Sequence, residues 1–347
     1  MTTGFEDATV LITGGTGSFG RTVAARLLRD GVGEVRILSR DEAKQDDMRR
    51  TMGDGRLRFY IGDVRDASSV AKAMRGVQHV FHAAALKQVP SCEFFPMEAV
   101  RTNVQGSENV VRAADRAGVR SAVFLSTDKA VYPVNAMGMS KALMEKVARS
   151  HGLNNPTTAT TMACVRYGNV MCSRGSVIPL FLAQMREGRP LTITNPHMTR
   201  FMMSLADSVD LVEFAFHHAL QGDLFIRKAR ACTIADLATA MLHLFRSDSR
   251  IDIIGTRHAE KVSEALASRE ELSKAVDMGD YFRIPADARD LNYSLYVHEG
   301  DARQAEFLDY DSHTVPRMSV EEVEALLLTL PEIRAELATA GVLRSVA

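Results

Sequence analysis

The string Thr13-Gly-Gly-Thr-Gly-Ser-Phe-Gly20 constrains this chain more than any other feature. An apolar run, Thr9–Thr13, precedes it, and an amphipathic stretch near 18–30 follows. Gly14, Gly17 and Gly20 are spaced so that the first makes a tight turn and the second admits an anion close to the backbone. The third lets helix and strand pack together. A helix that starts here presents free N–H groups and the positive end of its dipole. Strand, loop, helix and a second strand at Glu34–Leu38 stand in the order that a dinucleotide pyrophosphate cradle requires. Thr16, Ser18 and Phe19 complete the loop and are further candidates for cofactor contact.

The same rhythm continues. Strands are expected at Leu57–Ile61, His79–Ala83, Ser121–Ser126 and Thr157–Val165, with helices near 43–51, 67–75, 97–117 and 138–150. Continuous apolar strands alternating with helices predict an α/β fold, a doubly wound parallel (Rossmann) sheet covered on both faces. After residue 168 Gly, Pro and Arg become frequent, and helices resume at 206–220, 233–247, 259–267 and from Ser319 onward. The expected division is a dinucleotide-binding domain at 1–168 and a smaller substrate-binding lobe at 169–347, with some segments returning to the first. Residues 277–300 form a tyrosine-rich excursion.

Composition narrows the class of protein. A length of 347 residues fits about two domains. A net charge of −1, with no basic run, gives no case for nucleic acid or a membrane surface. No stretch has the roughly 18 apolar residues of a bilayer span, and the first residues lack a signal-peptide pattern. Cys92, Cys164, Cys172 and Cys232 form no Cys-x-x-Cys pair, and the histidines do not cluster. Reduced thiols, a cytoplasmic location and no metal centre are therefore expected.

Cofactor choice is read at the end of the second strand. An NAD-binding chain places an acidic residue there for the ribose 2′-hydroxyl, whereas this one has Ser39-Arg40-Asp41, with Lys44 one turn on. A hydroxyl and a guanidinium fork suit a 2′-phosphate, so NADP is favoured over NAD. The competing reading leaves Arg40 as a solvated loop charge and Asp41 as a helix cap. Asp63, in Gly62-Asp63-Val64, stands where it could meet the adenine. Ala83, Ala84 and Ala85 end the fourth strand, where small side chains let backbone approach the cofactor.

Phe124-Leu-Ser-Thr-Asp-Lys-Ala-Val-Tyr-Pro133 leaves the fifth strand, and Met137-Gly-Met-Ser-Lys141 opens the next helix. Here the sequence resembles the extended short-chain dehydrogenase/reductase family. It resembles most closely the bacterial nucleotide-sugar 4,6-dehydratases acting on UDP-N-acetylglucosamine. The resemblance spans nearly the whole chain through TGGTGSFG, LSRDEAKQ, GDVRD, HAAALKQVP, TNVQGSENV, STDKAVYP, RYGNV, GSVIP, MTRF, GTRHAEK and RIPADARDLNY. One departure is informative. The family pattern is Tyr-x-x-x-Lys, and Met137 holds the tyrosine position. A thioether exchanges no proton, so Met137 cannot act as the phenolate base. Met-x-x-x-Lys beside Thr-Asp-Lys is similar to the inverting, 5-epimerising dehydratases of capsule and O-antigen synthesis.

The resemblance implies a recycled NADP and a homo-oligomer. Hydride leaves C4 of the sugar, the C5 proton becomes acidic, water is lost across C5–C6, and hydride returns to C6. Asp128 would protonate the departing C6 hydroxyl. Lys129 would remove and return the C5 proton, which requires a pKa lowered from about 10.4 toward 7–8. Lys141 would hydrogen-bond the nicotinamide ribose, and Thr127 the C4 hydroxyl. Either Lys129 or a water would deprotonate that hydroxyl. A UDP-sugar 4-epimerase and a non-catalytic NADP-binding protein are the rival readings.

On the substrate side, Lys87 is either a sugar or cofactor contact or a surface lysine. Asn103 is expected to support the catalytic strand through a backbone hydrogen bond. Asn169 resembles the family's diphosphate-binding asparagine. Arg200 and Arg257 are the phosphate candidates, since guanidinium forks match phosphate oxygens. Val177, Ile178, Pro179 and Thr192 either frame a uracil or belong to the core.

Overall fold

The computed structural model describes residues 5–173, 175–256, 260–286 and 307–342. Six parallel strands carry the first half: β1 Thr9–Thr13, β2 Glu34–Ser39, β3 Leu57–Ile61, β4 His79–His82, β5 Ser121–Leu125 and β6 Thr161–Arg166. They belong to a nine-stranded sheet, in which β3, β2, β1, β4, β5 and β6 lie side by side in that order. Leu224–Arg227 adds parallel to β6, and Tyr281–Ile284 and Val276–Asp277 close that side antiparallel. The doubly wound α/β fold expected from the alternating pattern is therefore present.

Chain order reverses between β1 and β4. Ligands bind beyond the carboxyl ends of such strands at this switch point. Both strands are buried along almost their whole length, as apolar runs covered on both faces must be. Val10, Ile12, Val35, Ile37 and Phe81 of the sheet pack with Val23 and Leu27 of the helix Ser18–Arg29 and with Val209 and Val212 of Leu205–His218.

The chain divides into two compact units. The first comprises 1–167, 205–228 and 266–308; the second comprises 168–204, 229–265 and 309–347. The second has its own core, in which Phe181, Leu191, Leu237 and Met241 meet Val323 and Ile333 of the terminal helices Val320–Leu327 and Pro331–Thr339. No described helix is long and apolar enough to cross a membrane.

Two expected helices differ. Residues 97–117 are split into Pro96–Ala99, a wide π-turn at Val100–Gln105 and a regular helix at Gly106–Arg116. Of the expected helix at 259–267, residue 259 lies outside the described residues and the remainder is not helical. Ala265–Ala267 is a strand, with all three side chains buried in succession. Burial on every residue suits an extended segment and not a helix with one apolar face. The part of the tyrosine-rich excursion at 287–300 lies outside the described residues.

Candidate active site

The glycine loop lies at the switch point. Gly14 has φ of +68°, and a Cβ there would stand 2.8 Å from Ala84 Cα, so only glycine lets β1 turn against the end of β4. A Cβ on Gly20 would stand 2.5 Å from Gly15 Cα, which closes the loop on its helix. Gly17 differs: its Cβ would meet nothing nearer than Gly14 O at 3.4 Å, and Gly17 and Ser18 are exposed. Packing does not require glycine here. The helix Ser18–Arg29 begins at Gly17 with no side-chain cap and no acidic residue in its first turn. Its free N–H groups fit a dinucleotide pyrophosphate.

Around the loop, Thr16 Oγ1 and Ser39 Oγ lie 2.9 Å apart. Arg40 is largely exposed, and its ion-pair partner among the described residues is Asp63, at 3.7 Å. Asp41 accepts from the Lys44 backbone N–H at 3.0 Å, and the Lys44 ammonium lies 2.6 Å from Asp41. Asp41 thus caps its helix, and Arg40 keeps a largely exposed side chain. Asp63 is already gripped by Arg65 at 2.6 and 2.9 Å. Val64 packs under Gly106, whose Cβ would come within 2.8 Å of it. The backbone beyond β4 is held as well: Ala83 N donates to Thr13 O at 3.1 Å and Ala84 N to Thr13 Oγ1 at 3.3 Å. Ala85 follows in the same extended loop.

A single helical turn, Asp128–Ala130, follows β5. Asp128 N donates to Tyr167 O at 3.1 Å, which ties the turn to the end of β6. The Asp128 carboxyl is 1% exposed. Its Oδ1 accepts from Thr127 Oγ1 at 2.8 Å and from Lys129 Nζ at 3.0 Å. Its Oδ2 is buried and has no hydrogen-bond partner among the described residues. Such an atom is costly unless a ligand or water completes it. Lys141, on the helix Ala136–Asn154, donates from Nζ to Leu125 O at 2.7 Å. Burial pulls its ammonium down to about 8, and Cys164 and Glu145 offset part of that fall.

Met137 is buried in a small cluster with Cys92 and Ala99, with Leu86 and Val89 against it. It is a buried packing residue, and its thioether exchanges no proton. Tyr167 supplies a phenol in the same neighbourhood, its ring 5.5 Å from that of Phe19. Burial and the Asp128 carboxylate push it up to about 12, with Lys129 acting in the opposite sense. A phenol protonated at neutral pH does not replace the missing phenolate.

Asn103 does not support β5. Its side chain accepts from Leu86 N at 2.8 Å and donates to Leu86 O at 3.0 Å and to Ser140 Oγ at 2.9 Å. It holds the loop after β4 against the helix that carries Lys141. Lys87 is an exposed lysine.

The second unit contains a cavity of about 550 Å³. Asn169, Val177, Ile178, Pro179, Thr192 and Arg200 all line it, together with Ser176 and Glu260. Asn169 Oδ1 and Ser176 Oγ are buried without a partner among the described residues, two polar atoms for a ligand to satisfy. Ser176 was not legible in the sequence; a serine before a helix reads as a cap, but this one makes no cap bond. Arg200 lines the cavity yet donates to Thr199 O, Lys261 O and Val262 O and lies 3.8 Å from Glu260. These bonds occupy much of the fork expected for phosphate. Arg257 lies outside the described residues.

Comparison with known proteins agrees with these features. The profile of the polysaccharide biosynthesis protein family matches residues 10–286, and that of the polysaccharide biosynthesis protein C-terminal family matches 287–334. A UDP-glucose 4-epimerase of Rickettsia rickettsii (strain Sheila Smith) is 56% identical over 340 residues, covering 97% of this chain and 100% of that protein. The X-ray structure of Pen from Bacillus thuringiensis superimposes with a TM-score of 0.85 at 35% identity, covering 95% of this chain and 100% of that one. DesIV, the dTDP-glucose 4,6-dehydratase of Streptomyces venezuelae solved with NAD and TYD, shares the fold. Its TM-score is 0.66 at 24% identity, covering 73% of this chain and 86% of DesIV. The chain belongs to the polysaccharide biosynthesis protein family.

Proposed function

We propose that the chain is an NADP-dependent UDP-N-acetylglucosamine 4,6-dehydratase that inverts C5. The observation that carries this reading is the Asp128 carboxyl, with one oxygen held by Thr127 and Lys129 and the other buried without a partner among the described residues. A dehydration needs an acid for the departing C6 hydroxyl and a base for the C5 proton. Paired acid and base side chains supply about 10²–10⁴-fold each when correctly placed. The unpaired oxygen is where a leaving hydroxyl finds its proton, and Lys129 beside it serves C5. The dinucleotide supplies hydride acceptance and return. The chain's own task is to cradle its pyrophosphate at Gly17, meet its 2′-phosphate with Ser39 and Arg40, and set Lys141 near its ribose.

In the second unit, Asn169 and Ser176 would take the diphosphate, and Val177, Ile178 and Pro179 the uracil. A second reading, UDP-sugar 4-epimerase, rests on the name carried by the 56% identical rickettsial relative. Both reactions begin with oxidation at C4, but only the dehydratase uses an acid–base pair at C5 and C6. Incubation with UDP-N-acetylglucosamine separates them. A product that has lost one water and carries a 4-keto group supports the dehydratase; an isomer inverted at C4 alone overturns it in favour of the epimerase.

A further inference from the structure

Behind the acid–base turn lies a buried ionic network that the reaction chemistry does not use. Arg166, the last residue of β6, donates from Nε and Nη2 to Glu145 at 2.7 and 2.6 Å. It donates from Nη1 and Nη2 to Glu271 at 2.6 and 2.9 Å, and from Nη1 to Leu266 O at 3.1 Å. All of its N–H groups are thereby satisfied. Glu145 also accepts from Ser126 Oγ at 2.5 Å. The Arg166 and Glu145 side chains are only 5% and 4% exposed.

The members of this network are adjacent to the residues of the site. Ser126 immediately precedes Thr127-Asp128-Lys129. Arg166 immediately precedes Tyr167, whose carbonyl holds Asp128 N. Glu145 stands four residues after Lys141 on one helix, so the two side chains share a face. A buried ion pair adds little net stability, because desolvation offsets the attraction, and a positional or switching role is the better reason for one.

We propose that Glu145 is a positioning residue that fixes the ends of β5 and β6 through Ser126 and Arg166 and keeps Lys141 charged for an anionic dinucleotide. Among the described residues, few groups face Lys141. Leu125 O accepts from it, His82 on β4 is held neutral by burial, and Cys164 on β6 is pushed up to about 12. Neither His82 nor Cys164 bears charge near pH 8. Glu145 is thus the anion that opposes the loss of the Lys141 proton, with Arg166 and Glu271 behind it.

This inference rests on the reading that Lys141 meets the bound cofactor. It is tested by NADPH fluorescence titrations across pH with no sugar present, so the choice between dehydratase and epimerase does not enter. In the wild type, affinity should weaken as pH rises through about 8. Glu145→Gln should move that midpoint down by about 1 pH unit. Ser126→Ala removes one hydrogen bond and no charge; it should lower the Tm and leave the midpoint in place. Glu145→Asp keeps the charge and should keep the midpoint, and it decides the matter if Glu145→Gln does not fold. A purely structural role would lower Tm in these variants without separating them by pH. A Glu145→Gln midpoint equal to the wild type, or an equal downward shift in Glu145→Asp, overturns the proposal.

Discussion

Thr13 Oγ1 and His82 Nδ1 lie 2.7 Å apart, both fully buried, and their surroundings fix the direction of the bond. On the far side of the ring, His82 Nε2 is 2.9 Å from Ser107 Oγ, and that hydroxyl already donates to Asn103 O at 2.6 Å. Nε2 must therefore carry the proton and Nδ1 must accept from Thr13. Thr13 in turn accepts from Ala84 N. The chain of donors runs from the loop beside Gly14 to Asn103, which is bonded to Ser140 on the helix that carries Lys141. It functions only with a neutral imidazole.

Acid should therefore destabilise the fold. Burial lowers His82 to about 3 and His79 to about 4, against an unfolded value of about 6.5. Between those limits the unfolded chain binds more protons than the folded one, so stability falls as pH falls. Each histidine contributes up to about 1.4 kcal/mol per pH unit over that window. Denaturant unfolding at pH 7.5 and pH 5 checks this, and equal midpoints would count against it.

The glycine loop predicts two unlike alanine variants. Gly17→Ala should fold with a stability change within about 1 kcal/mol and lose dinucleotide affinity by about tenfold or more. Gly20→Ala forces a Cβ to within 2.5 Å of Gly15 Cα and should lose about 2–4 kcal/mol of stability. Calorimetry with and without cofactor separates them; equal affinity in Gly17→Ala would remove that residue from the cradle.

Arg40 should decide between the two dinucleotides. It is 58% exposed, and its nearest anion is 3.7 Å away, so its removal should leave the fold intact. Arg40→Ala should weaken NADP by about 10–100-fold, since charge-assisted bonds are worth about 1.5–3 kcal/mol, and leave NAD unchanged. Tighter binding of NAD than NADP by the wild type would contradict the assignment.

Local patterns made much of this legible. The spacing of Gly14, Gly17 and Gly20 and the apolar runs of β1 to β6 located the glycine loop and the parallel sheet, because each is encoded within a short segment. What remained hidden depends on residues far apart in the chain. Nothing beside Glu145 announces Arg166 or Glu271, and nothing near Arg200 foretells the carbonyls of Lys261 and Val262 that occupy its fork. The helix expected over 259–267 failed for the same reason: the burial of Ala265 to Ala267 is set by distant partners and not by local periodicity.

The central claim is that Lys129, held beside a half-paired Asp128, exchanges the C5 proton of the sugar. The direct measurement is deuterium incorporation at C5 when UDP-N-acetylglucosamine is turned over in deuterated water, for the wild type and Lys129→Ala. The wild type should place deuterium at C5 and lose the C6 oxygen. Lys129→Ala should bind cofactor normally and abolish the exchange. C5 exchange at the wild-type rate in Lys129→Ala would contradict the account.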